Sequence, residues 1–288
     1  MDIGIGLPNA VPGTAGSVLV DWAKRAEADG FSTLGTIGRL VYPSYEELIA
    51  LAAAAAVTER IRLTTSVLLA PLRKNTALFA KQAASLDQIS GGRFVLGVGL
   101  GGRADDDAAG QVPEKGRGRR LDEQLDQLRT VWRGQGLHGS GPIGPPPARH
   151  NGPELIIGGS GEAAFRRTAR VGDGWIMGGG SPDMFAAAAA GVDKAWLEAG
   201  NDGRPRKLSL AYFALGPQAR SDADSYLKRY YAFMGDRADQ IAASAAVSAD
   251  MVRGYATAFE QAGCDELILI PCSSDLDQVG LLAQAIHG

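Results

Sequence analysis

Eight short apolar runs, each followed by a stretch of helical character, recur along the 288-residue chain. Because strands that alternate with amphipathic helices build a parallel sheet from βα units, the predicted fold class is α/β. Eight such units close into a barrel, which takes roughly 250 residues. We therefore predict a single (β/α)8 TIM barrel with insertion loops that occupies residues 1–288 as one domain. The predicted strands lie at residues 3–7, 33–37, 61–68, 94–98, 155–157, 174–177, 208–215 and 266–270.

Capping residues and glycines mark the ends of the predicted helices. Ser44 is expected to cap the second helix, Gly30 follows the first, and the pair Gly91-Gly92 follows the third. The predicted helices lie at residues 18–29, 45–57, 76–89, 119–132, 162–171, 182–199, 223–233, 249–262 and 276–286.

Two segments rich in glycine and proline, residues 99–118 and 134–153, are long for connections in a compact domain. The first follows the fourth strand, so we predict a loop at the C-terminal mouth of the barrel, where active sites of this fold lie. The second follows a helix and therefore starts from the opposite end. We expect it to be structural or to form an interface.

Composition argues against several classes of function. The net charge is −3 and the pI near 5.7, whereas a general nucleic-acid binder carries a basic stripe. The longest apolar run, residues 48–57, is much shorter than the roughly 18 residues that span a bilayer. Because the chain opens directly on a strand pattern, we expect no secretory signal and a cytoplasmic protein. Cys264 and Cys272 lack the spacing of a zinc site, so we expect ordinary thiols and no metal.

Several blocks of the sequence together resemble the luciferase-like flavin and deazaflavin oxidoreductases. The resemblance implies a luciferase-like TIM barrel, a flavin or deazaflavin cofactor, a small-molecule substrate and a homodimer, without a nucleic-acid or membrane partner. The blocks cover most of the chain and lie at residues 61–73, 80–87, 91–99, 116–123, 156–160 and 172–175.

The resemblance implies a cofactor site at the end of the third strand, around Thr65, Ser66 and Val67. In that family a non-proline cis peptide supports the central ring of the cofactor, and here it falls at Ser66-Val67. Leu100 and Gly101 follow the fourth strand in a glycine-rich run. We interpret that run as backbone that approaches the ring or tail of the cofactor, with a flexible loop as the alternative.

A second cofactor site is predicted at Gly158, Gly159, Ser160 and Gly161, between the fifth strand and a helix. Unsatisfied backbone N–H groups and the positive end of a helix favour an anion there. Ser160 adds a hydroxyl donor, and Glu162 has to point away from a bound anion. The resemblance places the cofactor phosphate at this cradle. The alternative is that Ser160 only caps the helix.

The end of the second strand carries the candidate catalytic residue, Arg39. Relatives in the resembling family have an acidic residue and then a histidine or arginine where Gly38 and Arg39 stand. Gly38 therefore removes a usual carboxylate, and Arg39 remains as a cation that can polarise a substrate or stabilise an anionic reduced cofactor. A salt-bridged arginine is the alternative. The three histidines lie away from the strand ends, which argues against a histidine base.

Other residues near the strand ends have two interpretations each. Trp175, Met177, Tyr212 and Phe213 form either an apolar wall over the cofactor or ordinary core. The charged residues of the fourth loop form either a clamp on an acidic cofactor tail or a solvated surface. These are Asp105, Asp106, Asp107, Arg117, Arg119 and Arg120.

The leading hypothesis is hydride transfer from reduced coenzyme F-420, a deazaflavin, to an unsaturated or imine-like small molecule. Resemblance to deazaflavin-using members at residues 65–68 favours this cofactor. An FMN-dependent monooxygenase on the same scaffold is the first alternative. A non-redox ligand-binding or cofactor-independent descendant is the second, because Gly38 lacks the usual carboxylate.

Overall fold

Parallel strands close into a barrel in the computed structural model, which describes residues 1–113 and 115–288. The ring closes where Leu63 of the third strand pairs with Phe94 of the next. The barrel has nine strand segments but eight strand positions, because the third strand is interrupted and contributes two of the segments. The prediction of a (β/α)8 TIM barrel is confirmed. The strands are β1 (Asp2–Gly6), β2 (Thr33–Thr36), β3 (Arg62–Thr65), β4 (Leu68–Leu69), β5 (Phe94–Gly99), β6 (Glu154–Gly158), β7 (Gly174–Met177), β8 (Arg206–Phe213) and β9 (Glu266–Pro271).

Helices surround the barrel and connect its strands. They are α1 (Gly16–Ala28), α2 (Glu47–Ala55), α3 (Thr76–Ile89), α4 (Ala104–Ala109), α5 (Arg117–Trp132), α6 (Glu162–Val171), α7 (Pro182–Glu198), α8 (Ala219–Tyr230), α9 (Arg237–Ala243), α10 (Ala249–Gln261) and α11 (Asp277–His287). The predicted Ser44 cap is wrong. The Glu46 carboxylate instead accepts a hydrogen bond from the Ile49 N–H at 2.7 Å, so α2 begins two residues later than predicted.

The two long segments differ from the prediction in different ways. The loop predicted at residues 99–118 contains α4 and the start of α5, and its residue 114 lies outside the described residues. Helix α4 forms because its first turn carries acidic side chains, which stabilise a helix N-terminus. The segment 134–153 is structural, as expected. It runs along α3, where Lys81 donates to the Gly144 carbonyl at 2.7 Å and Asp87 accepts from the Ala148 N–H at 2.8 Å.

The core divides into a layer between strands and helices and a second cluster inside the barrel. Trp175 and Phe213 are fully buried in the outer layer, which favours ordinary core packing for both. Tyr212 belongs to the inner cluster. Both cysteines are free and buried, as expected. No helix within the described ranges is long and apolar enough to cross a membrane.

The N-terminal end of the barrel is closed by an ionic network instead of apolar side chains. Arg206, the first residue of β8, donates to Glu154 at 2.8 Å and also pairs with Glu266. Ser32 donates to the second oxygen of Glu266 at 2.5 Å. Glu266 is fully buried, so its charge depends on these partners.

Arg206→Leu should therefore destabilise the protein by about 3–5 kcal/mol, because it leaves two carboxylates facing each other in a buried place. The matched control is Arg204→Leu. Arg204 pairs with Asp265 at 2.7 Å but is 66% exposed, so its loss should cost less than about 1 kcal/mol. Urea unfolding of both variants measures the difference, and equal losses would contradict the role of the network.

Candidate functional site

The interruption between β3 and β4 falls at Ser66-Val67, and the peptide bond between these residues is cis. This confirms the predicted position. The Ser66 N–H donates to the Thr36 carbonyl of β2 at 2.7 Å. Val67 lies across β5 and β6, since a Cβ added at Gly99 would meet its Cγ2 at 2.6 Å and one at Gly158 its Cγ1 at 3.0 Å. The predicted ring site and the predicted cradle are therefore in direct contact.

The hydroxyl groups beside the cis peptide differ in their partners. Thr65 donates to the Gly97 carbonyl at 2.7 Å, so its hydroxyl already holds β3 against β5. The Ser66 hydroxyl oxygen is buried and has no hydrogen-bond partner among the described residues. A buried polar atom of this kind is normally satisfied. The Ser66 hydroxyl thus retains an unused hydrogen-bonding capacity beside the cis peptide.

Gly158 to Gly161 form an open turn between β6 and α6. Gly161 is the residue before the helix, and no side chain caps it, so the alternative that Ser160 caps α6 is wrong. Ser160 is exposed. The Trp175 indole N–H donates to the Gly159 carbonyl at 2.6 Å and holds the turn. A Cβ on Gly161 would have no heavy atom within 4 Å, which leaves space in front of the helix N-terminus.

The charges around this turn suit an anion. Glu162 is turned along the helix toward Arg166, at 3.3 Å, as an anion cradle requires. Arg167 is buried in the middle of α6 and donates to Asp122 of α5 at 2.7 Å, which holds α6 against the first half of α5. Helix α5 likewise begins after a glycine, Gly116, without a side-chain cap. Both helices thus begin with backbone donors that no side chain caps.

Leu100 and Gly101 follow β5 on the rim of the mouth. Leu100 is half-buried and Gly101 is exposed. A Cβ on Gly101 would lie 3.4 Å from the Leu69 side chain of β4. The two residues therefore stand beside the interrupted strand, next to the start of α4.

Arg39 is not a free cation. Its side chain is 7% exposed and pairs with Asp105 of α4 at 2.6 Å. Its guanidinium also lies 5.3 Å from the ring centre of Tyr42 and 5.6 Å from that of Phe233. The geometry is that of the salt-bridged alternative, and a catalytic role for Arg39 stays a prediction. The Arg117 guanidinium similarly pairs with Asp107, at 2.6 Å, so these charges tie α4 over the mouth.

The carboxylate of Glu47 lies directly against Gly38. A Cβ added at Gly38 would lie 1.9 Å from Glu47 Oε1, so the carboxylate occupies the place of a side chain at residue 38. Its other oxygen pairs with Arg73 at 3.0 Å, and both line a cavity of about 210 Å³ with Arg39. Sequence reasoning missed this residue. The sequence pattern that could have indicated Glu47 is a glutamate at the start of an otherwise apolar helix.

Burial raises the pKa of the Glu47 carboxyl, although Arg73 opposes the shift. The folded protein therefore binds this proton more tightly than the unfolded chain, and the group's stabilising effect is lost as pH rises from about 4.3 through the folded-state pKa. Glu47→Gln should match wild type near about pH 4 and exceed its stability at about pH 7–8. Urea unfolding across this range tests it, and parallel stability curves would contradict a raised pKa of Glu47.

Gly159 has a φ of +134°, and a Cβ there would lie 3.0 Å from that of Ala164. Gly159→Ala should therefore cost about 1–3 kcal/mol of unfolding free energy. Gly161→Ala is the matched control, because Gly161 has an ordinary φ of −112° and open space around its Cβ. Chemical denaturation compares the two. An equal effect of both substitutions would show that the turn is not held in this conformation.

Within the ranges that the structure describes, no group of three or more His, Cys, Asp or Glu residues is placed to hold a metal ion. The mouth instead brings together the cis peptide, the glycine turn and the rim residues. This arrangement can hold a flat ring against Val67 and an anionic group at Gly158–Gly161.

The sequence of this chain is similar to a known protein family and to individual relatives. The family profile of the luciferase-like monooxygenases matches residues 1–262. An uncharacterized protein of Mycobacterium tuberculosis (strain ATCC 25618 / H37Rv) is 34% identical over 206 residues, which are 62% of this chain and 71% of that protein. The F420-dependent glucose-6-phosphate dehydrogenase of Nocardia farcinica is 31% identical over 178 residues, 56% of this chain and only 53% of that enzyme.

Among solved structures, an F420-dependent secondary alcohol dehydrogenase, in complex with an F420-acetone adduct, has the same fold. The TM-score is 0.80 at 18% sequence identity, and the match covers 99% of this chain and 98% of that one.

Proposed function

Because this chain belongs to the luciferase-like monooxygenase family, we propose that it is an oxidoreductase which transfers a hydride from reduced coenzyme F-420 to an unsaturated or imine-like small molecule. The family includes deazaflavin-dependent and flavin-dependent enzymes. The name of the Nocardia farcinica relative supports the deazaflavin. When bound, the reduced deazaflavin supplies the hydride, and the protein orients it.

The observation that carries this proposal is the contact of Val67 with Gly158, which joins a ring-sized surface to an anion cradle. Two further features fit a cofactor that has a flat ring and a phosphate. The buried Ser66 hydroxyl has no partner in the described part of the chain, and the space before Gly161 is open. Residues of the right type thus stand at both ends of the site.

The roles divide between the two ends of the site. Ser66 and Val67 support the ring, with Thr65 holding the interrupted strand to β5. Leu100 and Gly101 border the cofactor on the rim. The backbone N–H groups around Ser160 hold the phosphate, in the turn Gly158–Gly161.

Arg39 and Glu47 lie near the end of β2 and line one cavity, together with Glu46 and Arg73. We assign to Arg39 the stabilisation of negative charge on the reduced ring. This role requires Arg39 to exchange its pairing with Asp105 for the cofactor. The Glu47 carboxyl stands where the resembling family has its acidic residue.

Fluorescence titration of the purified protein with coenzyme F-420 and with FMN tests the cofactor. Quenching by the deazaflavin at lower concentration than FMN is expected. Tight binding of FMN without binding of the deazaflavin would replace the proposal with the monooxygenase alternative. Binding of neither would favour the non-redox alternative.

Gly161→Asp and Gly161→Asn test the anion cradle as a matched pair. Both side chains fit in front of α6 and both are good helix caps, so neither should impair folding. Only Asp adds a negative charge at the cradle. We expect the Asp variant to bind coenzyme F-420 at least about tenfold more weakly than the Asn variant. Equal dissociation constants would place the phosphate elsewhere.

A further inference from the structure

A cavity of about 620 Å³ lies beside the ends of β7 and β8, apart from the residues assigned to the cofactor. Volumes of this size accommodate small organic ligands. Its rim is the glycine run that follows β7, at residues 178–180. The cavity therefore opens at the same end of the barrel as the cofactor site.

The floor of the cavity is formed by side chains of the cluster inside the barrel. Leu210 and Tyr212 of β8 line the cavity and also belong to the buried cluster inside the barrel. Val67 packs against that same cluster. The floor of the cavity and Val67 therefore pack on the same cluster of barrel side chains.

The walls of the cavity are predominantly apolar. Aliphatic surface comes from Leu210, Ala211 and Ile241, and flexible thioethers come from Met184 and Met234. Thioether side chains adapt to ligands of different shape. A sugar is poorly matched to the apolar part of these walls, because hydroxyl groups that face Leu210, Ala211 and the thioethers would lose water without gaining hydrogen bonds there.

Polar side chains also line the cavity, among them Gln240, Ser244 and Tyr255, and two further polar features stand out. The hydroxyl groups of Tyr212 and Tyr231 lie 2.6 Å apart, and burial raises the pKa of both, so both stay protonated. One hydroxyl hydrogen joins the pair, and the other remains to donate to a ligand. Arg237 is exposed, and it is the charged residue among the described lining. It makes no ion pair within the described residues.

We propose that this cavity is the substrate chamber, and that it takes an apolar carbonyl compound that carries one anionic group. The carbonyl oxygen accepts the free tyrosine hydroxyl, the apolar body lies on Leu210 and Ala211, and the anionic group pairs with Arg237. The assignment as a substrate chamber rests on the proposed function. It also implies that the substrate is not a sugar phosphate, in contrast to what the name of the Nocardia farcinica relative suggests.

A pair of fluorescent probes that differ only in charge tests the chamber in the cofactor-free protein. 8-Anilino-1-naphthalenesulfonate carries a sulfonate, and N-phenyl-1-naphthylamine is its neutral counterpart. Arg237→Gln should weaken the sulfonate probe roughly fivefold and leave the neutral probe unchanged. Arg133→Gln, at the exposed end of α5, is the matched control and should change neither.

Ala211→Phe should fill the chamber and weaken both probes by at least about tenfold. Urea unfolding checks that the Ala211→Phe variant folds. If this variant does not fold, the effect of Arg237→Gln on the two probes tests the chamber instead. 4-Oxocyclohexanecarboxylate should displace the sulfonate probe, whereas glucose 6-phosphate should not. Equal or better displacement by glucose 6-phosphate, or equal effects of Arg237→Gln on the two probes, would overturn the proposal.

The two proposals fail in different ways. A protein that binds the probes as described but binds neither coenzyme F-420 nor FMN keeps the chamber as a ligand site and loses the proposed redox function. A protein that binds the cofactor, but whose probe affinities are unchanged by both Ala211→Phe and Arg237→Gln, loses the chamber alone.

Discussion

The contact of Val67 with the glycines of β5 and β6 is the constraint on which the mouth of the barrel depends. Val67 can lie there only because Gly99 and Gly158 have no side chains, since a Cβ at either would come within 3.0 Å of it. One side chain thereby connects the interrupted strand to the turn before α6. The predicted ring site and the predicted anion cradle consequently share a wall.

Arg39 and Arg117, near α4, are paired, whereas Arg237 at the second cavity makes no ion pair within the part of the chain that the structure describes. Arg39 pairs with Asp105, and Arg117 pairs with Asp107, so α4 is held across the opening by two ion pairs. Ion pairs that are partly exposed are individually weak and can exchange for a ligand. Arg237, by contrast, is exposed beside an apolar cavity. The two ends of the mouth thus differ in the ligand chemistry that they favour.

Local patterns predicted the parts of the site that a few neighbouring residues define. The turn before α6 follows from glycines that stand between a strand and a helix, and the position of the cis peptide follows from a resemblance in the residues around it. The carboxylate at the mouth was not predictable in this way. Glu47 is nine residues from Gly38 in the sequence, and only the packing of α2 against the end of β2 brings its carboxylate to that glycine.

The sequence by itself determined the barrel and the order of its elements, because strand and helix periodicity are properties of short segments. It also determined where backbone donors are left free at the start of α6. Only the tertiary structure decided which charges meet, because a partner of Arg39 lies 66 residues away on α4. It likewise decided that segments around β7, β8 and α9 enclose an apolar cavity. Such contacts join residues that are distant along the chain, and no local pattern encodes them.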